Sequence, residues 1–356
     1  MSYFLVTGGA GFIGANFLHY LRRQQPERHI LNLDLLTYAG NLDNLVSFQN
    51  DSHYTFVHGD VADRELVQSL FARYPITRVV HFAAESHVDR SILDPGLFVR
   101  TNVLGTYTLL ETARQAWQNP AAGEAPRFLH VSTDEVYGSL EPEDQPTTES
   151  SPYAPRSPYA ASKASADFLV RSYFHTYRLP VLITNCSNNY GPYQFPEKLI
   201  PFSLSQALAG QVIPIYGQGT NVRDWLFVED HCQGLLQVLE QGRAGETYNI
   251  GGRQEVPNLE LVRLLLRLLR ELRPDLGDLN RLITFVPDRP GHDWRYALNI
   301  GKIEAELGWR PQVSLENGLR CTVAWYLDHQ DWLERVRSQA YRDFLKQQYG
   351  AVVAGA

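Results

Sequence analysis

Short apolar runs, set apart by polar turns and amphipathic stretches, fill the first half of the chain. Phe4–Val6, Ile30–Leu33, Tyr54–Val57, Arg78–Ala84, Arg127–Ser132 and Leu179–Thr184 are apolar for most of their length, as strands buried on both faces of a parallel sheet are. Between them lie helical stretches: Phe17–Leu21, Asp63–Tyr74, a long one over about Gly96–Trp117, and an alanine-rich one that carries Tyr159 and Lys163. This alternation predicts an α/β fold, a doubly wound parallel sheet with right-handed crossovers. After Thr184 the rhythm loosens. Asn185–Pro192 reads as a loop, Lys198–Ala209 as a helix, and short strands with three further helices as a smaller C-terminal α/β lobe. The spacing of Leu259, Val262, Leu265, Leu266 and Leu269 marks one of those helices as amphipathic.

The first strand runs straight into Thr7-Gly-Gly-Ala-Gly-Phe-Ile-Gly14. Of its spaced glycines, one permits a tight turn, one lets a pyrophosphate approach the backbone, and one lets helix and strand pack closely. A phosphate then meets the donor end of the following helix. The spacing is G-x-x-G-x-x-G, where G-x-G-x-x-G is usual. Asp34 ends the second apolar run, about twenty residues on, where a dinucleotide fold places the carboxylate that holds the adenosine ribose. An acid there repels a 2′-phosphate, which favours NAD over NADP. Leu35–Asn41 is expected to wrap the adenosine end. Asp60, after the third strand, either takes the adenine amino group or caps the next helix. These signals predict an NAD-binding domain over residues 1–186, with 222–250 also contributing. A second lobe over 187–350 and a structureless tail at 351–356 are expected to follow.

Composition narrows the partners. The chain of 356 residues suits two lobes, and 44% hydrophobic and 20% charged residues are ordinary for a soluble globular protein. No apolar run has bilayer length, and the first strand begins at once, so neither a membrane span nor a signal peptide is expected. Cys186, Cys232 and Cys321 are widely separated, without metal-ligand spacing. They read as buried hydrophobes in a reducing compartment, which points to the cytoplasm and to no metal. A net charge of −7 argues against a nucleic-acid partner. An anionic ligand would need local cations, and there are only four lysines, at 163, 198, 302 and 346.

Two groups of residues carry candidate chemistry. Tyr159 and Lys163 are four apart on a predicted helix and share a face; an ammonium there would lower the phenol pKa and make Tyr159 a base. At the end of the fifth strand, Ser132-Thr-Asp-Glu-Val-Tyr-Gly138 places two carboxyls side by side. Asp134 and Glu135 suit an acid/base division if their surroundings push their pKa values apart; otherwise they form a solvated turn. Glu85-Ser-His-Val-Asp-Arg-Ser91 adds polar groups at the fourth strand's end, where doubly wound sheets bind ligands.

The glycine motif, Asp34, Tyr159 and Lys163 together resemble the extended short-chain dehydrogenase/reductase family. Further motifs are similar to its nucleotide-sugar dehydratases: Ala84–Arg90, Ser132–Gly138, Tyr159–Lys163, Asn188–Pro201, Arg223–His231 and Arg289–Asp293. The resemblance implies NAD-dependent dehydration of a nucleotide-diphospho-glucose to a 4-keto-6-deoxy sugar, with thymidine as the base. It implies Tyr159 as the C4 base, Thr133 as hydrogen-bond partner of the reacting oxygen, Glu135 as the C5 base and Asp134 as the acid. NAD contacts are carried over to Gly8, Gly11, Phe12, Ile13, Gly14, Asp34, Leu35, Thr37, Asp60, Val61, Ala83, Ala84, Thr101, Tyr159 and Lys163. Substrate contacts fall on Ser86, Thr133, Asn188, Glu197, Lys198, Leu199, Arg223, Asn258, Arg289 and His292. Lys198, Arg223 and Arg289 are also the cations that an acidic protein needs for a diphosphate. A homodimer formed through Gly96–Trp117 and Tyr159–Tyr177 is implied as well. Departures from the family pattern are Leu35, where Lys is usual, Arg156, where a small residue is usual, and Trp294, where a polar one is. A 4-epimerase, a dehydratase for another base, and a non-catalytic NAD sensor are the competing readings.

Overall fold

The computed structural model describes residues 2–118, 124–288 and 291–336; Arg289 and the tail at 351–356 lie outside them. The first lobe alternates β1 (Tyr3–Thr7), α1 (Phe12–Gln24), β2 (His29–Asp34), β3 (Tyr54–His58), α2 (Arg64–Arg73) and β4 (Ile76–His81). It continues with α3 (Val88–Leu93), α4 (Pro95–Phe98), α5 (Thr106–Ala116), β5 (Arg127–Thr133), α6 (Pro158–Tyr177) and β6 (Val181–Cys186). Then come β7 (Asn188–Tyr190), α7 (Leu199–Leu208), β8 (Ile213–Tyr216), β9 (Val222–Phe227), α8 (Val228–Gln241), β10 (Thr247–Ile250) and β11 (Glu255–Pro257). Last are α9 (Asn258–Leu272), β12 (Ile283–Val286), α10 (Gly301–Leu307), α11 (Leu315–Asp328) and α12 (Gln330–Val336).

Seven of these strands form one sheet in the order β10-β6-β5-β4-β1-β2-β3, all parallel. This is the doubly wound sheet that the apolar runs predict. Chain order reverses at β1, with β2 on one side and β4 on the other, which opens a crevice at the strands' carboxyl ends. The second lobe has a separate core, with Tyr190, Trp225, Leu261, Leu265, Leu269 and Trp332 buried together. Its amphipathic helix is α9, with Val262 and Leu266 buried beside those leucines. Two small sheets, β11-β9-β7 and β12-β8, complete that lobe. No helix among the described residues is long and apolar enough to cross a membrane.

Three local features differ from the sequence reading. The long helix over Gly96–Trp117 is helical throughout, but Val99–Gly105 is a π-helical segment between α4 and α5. Asp63 caps α2 through a bond from Leu66 N; Asp60 therefore does not cap, and pairs with Arg100. Cys321 is exposed, because it falls on the solvent side of α11, opposite buried Leu319, Thr322 and Val323.

The glycine turn is built as its spacing demands. Gly8 has φ +73°, and a Cβ there would come within 2.6 Å of Ala83 N. A Cβ on Gly14 would overlap the Gly8 carbonyl oxygen. Gly14→Ala is therefore expected to destabilise the first lobe by roughly 1–3 kcal/mol, as overpacking of a tight contact does. Denaturant unfolding measures this, and an unchanged midpoint would contradict it.

Candidate active site

One cleft runs along the carboxyl ends of β1, β2, β4 and β5. It is lined by Gly8, Gly11, Phe12, Ile13, Gly14, Asp34, Leu35, Thr37, Asp60, Val61, Ala83, Ala84 and Thr101, together with Tyr159 and Lys163. Every residue expected to hold NAD is thus gathered in one place. Gly11 tests whether such a group fits. A Cβ there would meet only the Gly8 oxygen, at 3.4 Å, so protein packing does not require the glycine and the missing side chain leaves room at the entrance to α1. Gly11 precedes that helix with no side-chain cap, so the first backbone N–H groups face an approaching phosphate. Asp34 is anchored by Ala10 N and Leu36 N, each at 2.8 Å, and still lines the cleft. These residues fit a dinucleotide.

Thr133, Asp134 and Glu135 enter the same cleft beside Tyr159. Thr133 ends β5 and starts a short turn, and its hydroxyl accepts from Glu135 N at 3.3 Å. That hydroxyl lies 3.3 Å from Asp134 Oδ1, to which it donates, and it hydrogen-bonds the Tyr159 phenol. The Asp134 and Tyr159 side chains therefore meet at one oxygen, which also takes the Glu135 backbone N–H. Asp134 is buried, and its Oδ2 has no hydrogen-bond partner among the described residues. Burial, with Glu135 and Asp224 nearby, raises its pKa well above the ordinary value, against the Arg223 charge. Burial thereby favours the neutral acid form of Asp134. Glu135 is only half-buried, so the two adjacent carboxyls do sit in unlike surroundings.

The Tyr159–Lys163 pair departs from expectation. Lys163 Nζ donates to Val131 O at 2.8 Å. Burial raises the Tyr159 pKa well above its usual value, and Glu135 and Cys186 push the same way. The expected lowering by the ammonium is therefore not what governs the phenol in this geometry. Burial also brings Lys163 itself down to about 8.

The substrate residues divide. Ser86, Asn188, Glu197 and Lys198 line the cleft with Thr133. Leu199, Arg223, Asn258 and His292 do not line it. Arg223 points its guanidinium at the carbonyl oxygens of Val222, Trp294 and Asp293, at 2.7, 3.3 and 3.0 Å, and borders the site through its charge on Asp134. Asn258 opens α9 with a buried side-chain oxygen, Leu199 opens α7, and His292 pairs with Asp288 at 2.6 Å.

Several cleft features escaped the sequence reading. Arg100, Cys186, Gln194 and Phe195 line the wall. Asn102, in the π-helical segment, accepts from Glu85 N at 2.9 Å and donates to Glu85 O at 3.0 Å and Ser162 Oγ at 2.8 Å. It ties the β4 loop to the helix that bears Tyr159, and nothing in linear spacing announces that bond. Glu197 is buried near His87, 3.8 Å away, and Arg90, 3.9 Å away; the Arg90 guanidinium lies 3.8 Å over the Tyr38 ring. Among the described residues no cluster of His, Cys, Asp or Glu could hold a metal ion.

Comparison with known proteins finds relatives over nearly the whole chain. The family model described as GDP-mannose 4,6 dehydratase covers residues 5–322. A dTDP-glucose 4,6-dehydratase of Xanthomonas campestris pv. campestris is 53% identical over 96% of this chain and 98% of its own length. The crystal structure of the Streptomyces venezuelae dTDP-glucose 4,6-dehydratase, with NAD bound, superposes with a TM-score of 0.86 at 49% identity, covering 94% of this chain and 99% of that one. A UDP-glucose 4-epimerase of Thermotoga maritima follows at 28% identity and a TM-score of 0.82, covering 92% and 99%. With a match over most of its length and half its residues shared, the chain belongs to the nucleotide-sugar 4,6-dehydratase family of extended short-chain dehydrogenases/reductases.

Proposed function

We propose that this protein dehydrates dTDP-glucose to its 4-keto-6-deoxy derivative, with NAD as resident cofactor. The observation that carries this reading is buried Asp134 beside half-buried Glu135 at the end of β5, where the Thr133 hydroxyl bonds the Asp134 and Tyr159 side chains and the Glu135 backbone N–H. An epimerase needs the Thr–Tyr–Lys set but has no use for that pair of acids.

The chemistry that bound NAD supplies is storage of a hydride, taken from the sugar's C4 and given back at C6. Gly8, Gly11 and Gly14 shape the turn for its pyrophosphate, and Asp34 takes the adenosine ribose. Tyr159 accepts the C4 hydroxyl proton while Thr133 holds the same oxygen in place. Once C4 is a ketone, the C5 proton is acidic and Glu135 removes it. Asp134 passes its proton to the departing C6 hydroxyl, which leaves as water, and Glu135 then returns a proton to C5. Ser86, Asn188, Glu197 and Lys198 are proposed to hold the nucleotide diphosphate and sugar within the cleft. Leu199, Arg223, Asn258, Arg289 and His292 are proposed to join them from the second lobe. Residues 1–186 with 228–250 are assigned to the NAD-binding domain, and most of 187–350 to the sugar-binding lobe; the expected segment 222–250 begins in β9, which pairs in a small sheet of the second lobe.

The test is mass spectrometry of the product from dTDP-glucose and protein purified without added NAD. Loss of one water is expected; an isomer of unchanged mass would favour epimerisation instead. A homodimer is proposed through α4, α5 and α6, which present Leu97, Tyr107, Phe168 and Tyr177 to solvent. An apolar face of this kind suits a partner helix pair. Phe168→Asp is expected to move the sedimenting mass from two chains toward one.

A further inference from the structure

Behind the cleft floor, Asp167 follows Lys163 by four residues on α6 and so lies on the same helix face. It is fully buried. Its Oδ2 accepts from Ser132 Oγ at 2.9 Å and from the Tyr153 phenol at 2.8 Å, and Oδ1 lies 3.2 Å from His130 Nε2. Tyr153 is held in turn by Arg171 at 2.8 Å and Asn185 at 3.3 Å. The same Asn185 amide reaches the Thr133 carbonyl at 3.2 Å. One carboxylate thus braces the carboxyl end of β5 twice, directly at Ser132 and through Tyr153 and Asn185 at Thr133.

The charge matters as much as the brace. A buried ammonium is costly unless paired. The groups that face Lys163 are Tyr159 and Asp167 on α6, His81 on β4, His130 on β5 and Cys186 on β6. Burial lowers both histidines, His130 to about 4, so at neutral pH neither adds a charge. Burial likewise raises Cys186 to about 12, which leaves it a neutral thiol. That leaves Asp167 as the leading group that sustains the lysine's charge.

We propose that Asp167 is a positioning residue for the reaction: it keeps Lys163 in the ammonium form and fixes the strand end on which Thr133, Asp134 and Glu135 stand. The inference rests on the catalytic roles proposed above. Its test reads the lysine directly. The chain has four lysines, so NMR of protein labelled at the lysine Cε follows each titration, with Lys163→Met identifying one signal. In Asp167→Asn, which keeps the shape, the Lys163 titration is expected to fall by about one pH unit or more, and the alkaline limb of turnover to fall with it. Asp167→Glu should restore both. Tyr153→Phe removes a brace and no charge, so it should lower turnover while the Lys163 titration stays in place. A Lys163 titration unmoved in Asp167→Asn would overturn the proposal. A titration that moves while the pH profile of turnover does not would uphold the electrostatic coupling and overturn the claim that the Lys163 charge matters to turnover.

Discussion

Glu135→Gln is expected to lower dehydration by about 10²–10⁴-fold, the range lost when a positioned general base is removed. Gln matches the carboxylate in size, and the Glu135 N–H that bonds Thr133 belongs to the backbone, so the strand end should keep its shape. The ability to take the C5 proton disappears. The substitution also removes a negative charge that raises both Asp134 and Tyr159. It should therefore make the phenol a more accessible base at C4 while C5 is silenced. Two readouts separate these effects. Incorporation of solvent deuterium at C5 should vanish, whereas binding of the substrate should hold. A variant that exchanges C5 and releases water at the original rate would remove Glu135 from the role of base.

The parallel sheet was readable in the sequence because doubly buried strands are continuous apolar runs, and the glycine turn because backbone clearance allows few other residues at 8 and 14. Asp34 is readable from its distance beyond the glycine motif, and Tyr159 and Lys163 from their four-residue spacing on one helix face. Bonds across the fold were not. Asn102 looked like one more polar residue in a long helix, since a π-helical segment has no periodicity of its own. Asp167 looked like a charge on an alanine-rich helix, and only the sheet beneath it turns that charge inward. The electrostatics of Tyr159 were misjudged for a related reason. Spacing says which side chains share a face, but burial, which raises the phenol here, belongs to the assembled fold. Arg223 illustrates the limit from the other side: a cation in a suggestive motif whose guanidinium faces the carbonyl oxygens of residues 293 and 294.

Tyr159→Phe should be as damaging as loss of Glu135, about 10²–10⁴-fold, and at an earlier step. The ring is almost fully buried and its hydroxyl bonds Thr133. Phe therefore fills the same space and leaves the Thr133 hydroxyl bonded to Asp134 and to the Glu135 N–H. With no acceptor for the C4 proton, the ketone does not form, and without it C5 is not acidic enough for Glu135. Solvent deuterium should then be absent from C5 in Tyr159→Phe even though Glu135 is intact. The pH dependence follows from the same geometry. The phenol pKa is raised, so the fraction able to act as base grows as pH rises. Asp134 is raised as well, so the fraction able to act as acid shrinks as pH rises through its elevated value. The two demands oppose each other and predict a bell-shaped rate profile, with loss of the Lys163 ammonium adding to the alkaline descent. Asp134→Asn keeps the shape and discards the titration, so it should remove the alkaline descent that Asp134 contributes while lowering the maximum rate. A wild-type profile that stayed flat on both sides would count against this division of labour between the phenol and the acid.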